Sequence, residues 1–250
     1  MGFFFVLEKT RILKKSVSVK LVAVILFFFT LQVLGVIFSK SATSDEYSHH
    51  IASGYSYVVK RDFRMNSAMP PLPKILSGLP LWAAGFKADF SDPVWQSSDT
   101  PGFAKKFFHE WNPGKIDLIT TLARLPILIV GLLFGFFVYR VAKVWVGEKA
   151  ALFSLVFFAF CPDIVAHTAL ATSDLTISFF FFCSIASFAS YLNEPSPKPA
   201  IICALFTALT FLSKQTAVLL PVIYFLIASF SRQMRVIHFK YFFIFAVRVF

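Results

Sequence analysis

Long apolar runs separated by short charged stretches restrict what this chain can fold into more than any other feature. The first run extends without a charge from Leu21 to Phe38, close to the roughly 20 residues that cross a bilayer as a helix. The others lie at 116–139, 150–161, 175–192, 200–212 and 217–230, with a last one from Tyr241 onward. Only 15% of the residues are charged, against about 25% in soluble domains. The sequence predicts an all-α polytopic membrane protein with about six to seven transmembrane helices.

The positions of the basic residues predict how these helices are oriented. Half of the Lys and Arg residues (12 of 24) lie next to apolar runs, at 8–20, 140–149, 193–199 and 231–240. Because cytoplasmic loops are enriched in Lys and Arg, the N-terminus is predicted to be cytoplasmic. Segments 40–115, 162–174 and 213–216 are then on the opposite face. The net charge of +11 is therefore explained by basic residues that flank membrane spans, and not by binding of nucleic acid.

The same pattern divides the chain into four parts. These are a cytoplasmic N-terminus (1–20), a first transmembrane helix (21–38), an extracytoplasmic loop (40–115) and transmembrane helices two to seven (116–250). The loop contains one apolar stretch, Ile75–Phe86, which is too short to span and is expected to form an amphipathic helix in the membrane interface. The chain stops inside an apolar run, so we expect it to be the N-terminal part of a longer protein.

Two adjacent carboxylates follow the first apolar run. In a helix, Asp45 would pair with His49 and Glu46 with His50, each one turn apart. Carboxylates at this position suit an enzyme that removes a proton from an acceptor hydroxyl. The alternative is a capping box formed by Thr43 and Glu46. Both interpretations hold together if Asp45 is free for chemistry while Glu46 caps the helix.

A second polar cluster lies between two later apolar runs, on the same predicted face. If this segment is helical, Asp163, His167 and Asp174 share roughly one face. Ionisable groups at membrane depth are often functional. The alternative is that Thr172 or Ser173 caps the next helix and Asp174 complements its dipole.

Two basic residues complete the set of candidates. Lys214 lies between two apolar runs on the predicted outer face, where it could bind the phosphate of an anionic headgroup or extend toward the interface. Arg124 lies inside the second span, just before Pro126, and has the same two interpretations. No Walker loop, Rossmann glycine pattern or zinc-ligand spacing is present in the sequence.

Taken in order, these stretches resemble the GT-C superfamily of membrane glycosyltransferases, near the bacterial relatives of protein O-mannosyltransferases and of the lipid A aminoarabinose transferase. The similarity covers nearly the whole chain. Its motifs are Asp45-Glu46, His49, Gly54-Tyr55, Pro70-Pro71-Leu72, Ala171 to Asp174, and Leu212 to Lys214.

The resemblance implies a bacterial inner (plasma) membrane enzyme with a polyprenyl-phosphate-linked sugar as donor and an extracytoplasmic lipid, glycan or protein as acceptor. It implies Asp45 as catalytic base with Glu46 in support, and Lys214 at the carrier phosphate. The other expected substrate-binding residues are His49, Arg124, His167 and Asp174. Relatives often carry an acidic residue and a histidine where this chain has Ala68-Met69, so a divalent metal is left open and no other cofactor is expected.

Two other classes of function compete with this one. A transporter or flippase of lipid-linked sugars places charges in the middle of the bilayer, on broken helices in repeated halves. Here the carboxylates cluster at one face, and the sequence shows no repeat. A non-catalytic membrane scaffold would use the long loop 40–115 for docking.

Overall fold

The computed structural model describes residues 17–230, and every regular element within them is helical. We number the α-helices in chain order. They are α1 (Val17–Ser39), α2 (Ala52–Lys60), α3 (Leu72–Ala83), α4 (Pro93–Gln96), α5 (Thr100–His109), α6 (Ile116–Trp145), α7 (Glu148–Ala159), α8 (Pro162–Thr168), α9 (Asp174–Asn193), α10 (Pro197–Phe211) and α11 (Leu220–Phe230). A π-helical turn (Glu46–Ile51) precedes α2, and a 3-10 turn (Gln215–Leu219) precedes α11. The predicted all-α class is confirmed.

Three helices within residues 17–230, namely α1, α6 and α9, are long and apolar enough to cross a membrane. Helices α7 and α8 satisfy the same criterion only as a pair bent by 63°, which gives up to four spans. The apolar helix α10, and α11 with its 3-10 turn, are shorter. A multi-pass membrane protein is thus supported, whereas the count of about six to seven spans stays a prediction. The run from Tyr241, and most of segment 1–20, lie outside the described residues.

The break between α7 and α8 has a local cause in the sequence. Pro162 occupies the first turn of α8, where its missing N–H leaves no hydrogen bond unmade. A residue before proline is restricted to extended conformations, and Cys161 has φ −72° and ψ 117°. The chain therefore bends here, by 63° between the two helices.

Aromatic side chains hold the membrane helices together. Phe134 of α6 packs against Phe158 of α7 and Phe179 of α9, with ring centroids 5.0 and 5.6 Å apart. Phe29 of α1 joins them, 5.5 Å from Phe158. On the outside, large apolar side chains such as Phe157 are exposed. In a membrane this outer surface faces lipid, so the exposed apolar area carries no penalty.

Segment 40–115 folds into a helical cap over one end of the bundle, built from the π-helical turn and α2 to α5. Its core is aromatic and includes Trp95, Phe103 and Phe107, all buried. The stretch predicted to lie in the interface forms α3, which packs closely on α2. A Cβ at Gly78 would clash with the backbone of Gly54, and a Cβ at Gly54 with the backbone of Lys74, so only glycine allows this approach.

Candidate active site

A capping box opens the helix that carries the two carboxylates. The backbone N–H of Thr43 donates to Oε2 of Glu46 at 2.9 Å. In return, the backbone N–H of Glu46 lies 3.4 Å from the Thr43 hydroxyl oxygen. These two reciprocal bonds define a capping box, so that interpretation of Thr43 and Glu46 is confirmed.

The carboxylate of Glu46 has a second partner, far away in the sequence. Arg124 donates from Nε to Oε1 and from Nη2 to Oε2, both at 2.8 Å, and both side chains are 0% exposed. The backbone N–H of Ala171 also donates to Oε1, at 2.8 Å. Burial by itself would raise the pKa of Glu46, but the hydrogen bonds from Arg124, Thr43 and Ala171 hold it below its ordinary value.

Arg124 makes all the hydrogen bonds that a guanidinium can make. Besides the two to Glu46, it donates to the carbonyl oxygens of Ile37, Lys40 and Ser41 at 3.2, 2.8 and 2.9 Å. These are its five N–H groups. Arg124 neither extends toward the interface nor retains a donor for a phosphate in this structure. It joins the end of α1, the cap and α6.

The predicted pairing of carboxylates and histidines is wrong, and the backbone explains why. Asp45 contacts His50 (Oδ2 to Nε2, 3.1 Å), not His49, and Glu46 contacts Arg124, not His50. The prediction assumed an α-helix, in which residues four apart face each other. The turn Glu46–Ile51 is π-helical, so its hydrogen bonds and its stacked side chains are five residues apart.

His50 is buried whereas Asp45 is half-exposed, at 49% of its side chain. Burial lowers the pKa of His50, although the carboxylate of Asp45 opposes this. A lowered pKa favours the neutral imidazole, and Nε2, which faces a carboxylate oxygen, is placed to donate to it. Asp45 is thus held on one side by a neutral donor and is open to solvent on the other.

The second cluster is assembled by a turn and not by one helix. Helix α8 ends at Thr168 and α9 begins at Asp174, so the prediction that Asp163, His167 and Asp174 share a helical face is wrong. The turn nevertheless brings His167 Nδ1 to 4.0 Å from Asp174 Oδ2. Ser173, at the start of α9, makes no side-chain capping bond.

Lys214 and Asp174 form an ion pair at the same end of the bundle. Lys214 Nζ lies 2.5 Å from Asp174 Oδ1, and both side chains are partly exposed. Lys214 follows α10 directly, and Asp174 begins α9. This pair confirms that two of the candidate residues, 40 positions apart in the sequence, lie together.

Two contacts connect this pair to the cap. The Glu46 carboxylate binds the backbone N–H of Ala171, three residues before Asp174. The N–H of Leu72, in the Pro-Pro-Leu turn, donates to the carbonyl of Leu212 at 3.0 Å. Asp45, Asp174 and Lys214 therefore lie on segments joined at one end of the bundle. A cavity of about 320 Å³ lies between the Pro-Pro turn and the end of α10, and none of these three side chains lines it.

Sequence reasoning missed Lys74, which lies buried in α3. Its ammonium donates to the carbonyl oxygens of Asn66 and Met69 at 2.7 and 3.0 Å, and to the hydroxyl of Tyr57 at 3.3 Å. Burial lowers its pKa to about 8, an effect that Asp45 partly opposes. No sequence signal separates this lysine from one on a helix surface, since its partners come from the folded cap.

A metal ion would need several His, Cys, Asp or Glu side chains that converge on one point. Within residues 17–230, no group of three or more His, Cys, Asp or Glu side chains is arranged to hold one. Asp45 and His50 face each other directly, and Asp174 is paired with Lys214.

A comparison with known protein families shows to which family the chain belongs. The family model described as dolichyl-phosphate-mannose-protein mannosyltransferase matches residues 119–250, more than half of the chain. The chain belongs to this family. It is accordingly a membrane glycosyltransferase of the GT-C type, as the resemblance implied. No curated protein and no solved structure matches it.

The matched region contains some of the candidate residues and leaves out others. Arg124, His167, Asp174 and Lys214 lie inside it, whereas Asp45 and Glu46 precede it. The family match thus covers the ion pair of Asp174 with Lys214. The assignment of Asp45 depends on its own geometry.

Proposed function

We propose that this glycosyltransferase transfers a sugar from a polyprenyl-phosphate carrier to an extracytoplasmic acceptor, with inversion of the anomeric configuration. The observation that carries the proposal is the partly exposed ion pair of Lys214 and Asp174 beside the cap that bears Asp45. In this proposal the protein lies in a bacterial plasma membrane with its N-terminus in the cytoplasm. The acceptor is a lipid, a glycan or a protein.

Lys214 is the group we assign to the carrier phosphate. An ammonium attracts phosphate as a point charge, and it stabilises the negative charge that develops on the leaving group. In the free enzyme Asp174 neutralises this ammonium at 2.5 Å. We propose that the donor phosphate takes the place of the Asp174 carboxylate at Lys214, with His167 close enough to contact the same group.

Asp45 is the group we assign as catalytic base. The acceptor oxygen attacks the anomeric carbon while its proton passes to Asp45, and the bond from that carbon to the phosphate oxygen breaks. The phosphate leaves with the electron pair, so charge and atoms balance. The half-exposed carboxylate can be reached by an acceptor, whereas Glu46 is fully buried and saturated with hydrogen bonds. Glu46 supports Asp45 by fixing the helix start, and His49 is assigned to the acceptor side.

The test is sugar transfer by the full chain in lipid nanodiscs. The donor is a radiolabelled polyprenyl-phosphate sugar, and the products are separated from the donor after incubation with a membrane extract as acceptor source. Asp45→Asn should abolish transfer, because an amide does not accept the proton. Asp62→Asn, at a partly exposed aspartate of the same cap that pairs with Arg64, is the matched control and should transfer normally.

Two results would count against the proposal. Full transfer by Asp45→Asn would remove Asp45 from the mechanism. Movement of the labelled lipid across the bilayer of sealed proteoliposomes, without any product, would instead indicate a flippase.

A further inference from the structure

The contact between Asp45 and His50 has a feature that packing alone does not require. His50 is 1% exposed, yet it directs Nε2 at a half-exposed carboxylate at 3.1 Å. Its other nitrogen, Nδ1, is buried and has no hydrogen-bond partner within residues 17–230. A neutral imidazole with its hydrogen on Nε2 fits this arrangement, because the unpaired atom is then an acceptor and not a buried N–H.

The backbone is adapted to this contact. Successive residues of an α-helix are about 100° apart, so residues five apart would point roughly 140° away from each other. The π-helical turn Glu46–Ile51 brings Asp45 and His50 together instead. Short π-helical insertions are rare and frequently occur at functional sites. The turn also leaves Glu46 directed at Arg124, so the two carboxylates acquire different partners.

We infer that His50 is a positioning residue for Asp45, holding one carboxylate oxygen so that the other faces the acceptor. This inference rests on the proposed function of Asp45. The neutral N–H of His50 fixes the side-chain rotation of Asp45 without supplying a positive charge to it. Lys74 contributes to this state, since its nearby positive charge disfavours a second proton on His50.

The experiment compares two substitutions that differ in one hydrogen bond. His50→Gln retains an N–H near the position of Nε2, whereas His50→Phe keeps a ring of similar size without a donor. His50→Phe should lower kcat by about 10- to 100-fold, since a misplaced catalytic group costs that much. The KM for the polyprenyl-phosphate donor should not change, because Lys214 is untouched. His50→Gln should recover most of kcat.

Several outcomes separate positioning from simple packing. A kcat of wild-type size in His50→Phe would overturn the inference, as would equal losses in the Phe and Gln variants. Packing alone would lower the melting temperature of both variants and leave kcat of the folded fraction unchanged.

A second measurement does not depend on activity or on the stability of the His50 variants. The 15N NMR signals of His50 should show a protonated, hydrogen-bonded Nε2 in the wild-type protein, and this signal should shift in Asp45→Ala. An unchanged signal would overturn the inference. If the wild-type protein transfers no sugar from any polyprenyl donor, the proposed function fails, and the NMR result still decides whether the pair exists.

Discussion

Arg124 of α6 and Glu46 of the cap form a two-bond ion pair, with both side chains fully buried and 78 positions apart in the sequence. Taking two charges out of water is unfavourable, and only good geometry and further hydrogen bonds compensate. Both are present here, because Arg124 also binds three carbonyl groups at the end of α1 and Glu46 binds the N–H of Ala171. The pair thus fixes the position of the cap, and of Asp45 with it.

Removing one member of this pair should destabilise the protein strongly. Glu46→Gln or Arg124→Met leaves the other charge buried and uncompensated, which costs about 3 to 5 kcal/mol. The free energy of unfolding of the double variant should fall by less than the sum of the two single falls, because no lone charge remains buried. Thermal unfolding in nanodiscs measures this loss. Asp62→Asn, which breaks the partly exposed pair of Asp62 with Arg64, is the control. Single variants that melt like the wild type would contradict the structural role.

Stability should also depend on pH through Glu46. Its pKa is lowered in the folded protein, so folding favours the ionised form and the stabilisation is complete above the ordinary value of 4.5. As pH falls below 4.5 and through the lowered pKa, Glu46 takes up a proton and this contribution is lost. The melting temperature of the wild type should fall over this window. That of Glu46→Gln should fall less, and equal slopes would exclude Glu46 as the titrating group.

The ion pair of Lys214 and Asp174 leads to a prediction about donor binding. Lys214→Ala removes the cation assigned to the phosphate, and hydrogen bonds to charged groups contribute about 1.5 to 3 kcal/mol. The kcat/KM for the polyprenyl-phosphate donor should fall by roughly 10- to 100-fold. Lys105→Ala, an exposed lysine of the cap, is the control. An unchanged kcat/KM would show that Lys214 only pairs with Asp174.

The sequence predicted what depends on local spacing and composition. The uncharged run 21–38 predicted α1, and Thr43 with Glu46 predicted the capping box that the structure contains. The order of polar clusters between apolar runs predicted that Asp174 and Lys214 lie on one face, and they form an ion pair. These features follow from the hydrophobic pattern, because alternating spans bring alternate loops to the same end.

What the sequence did not predict depends on contacts between distant segments. The partner of Arg124 is 78 positions away, so no spacing rule identifies it. The π-helical turn changed the partner of Asp45 from His49 to His50, and the residues of this turn carry no pattern that distinguishes it from an α-helix. Lys74 is buried only because the cap folds around it.

Lys74 should add a second pH dependence, of the same sign, at alkaline pH. Its pKa is lowered from 10.5 to about 8 in the folded cap, so between these values the unfolded chain binds more protons than the folded one. The free energy of unfolding therefore rises with pH over this window. Tyr57, its hydrogen-bond partner, has its pKa raised to about 12 by burial and does not titrate there. The wild type should gain melting temperature relative to Lys74→Met between pH 8 and 10.5, and a constant difference would contradict the lowered pKa of Lys74.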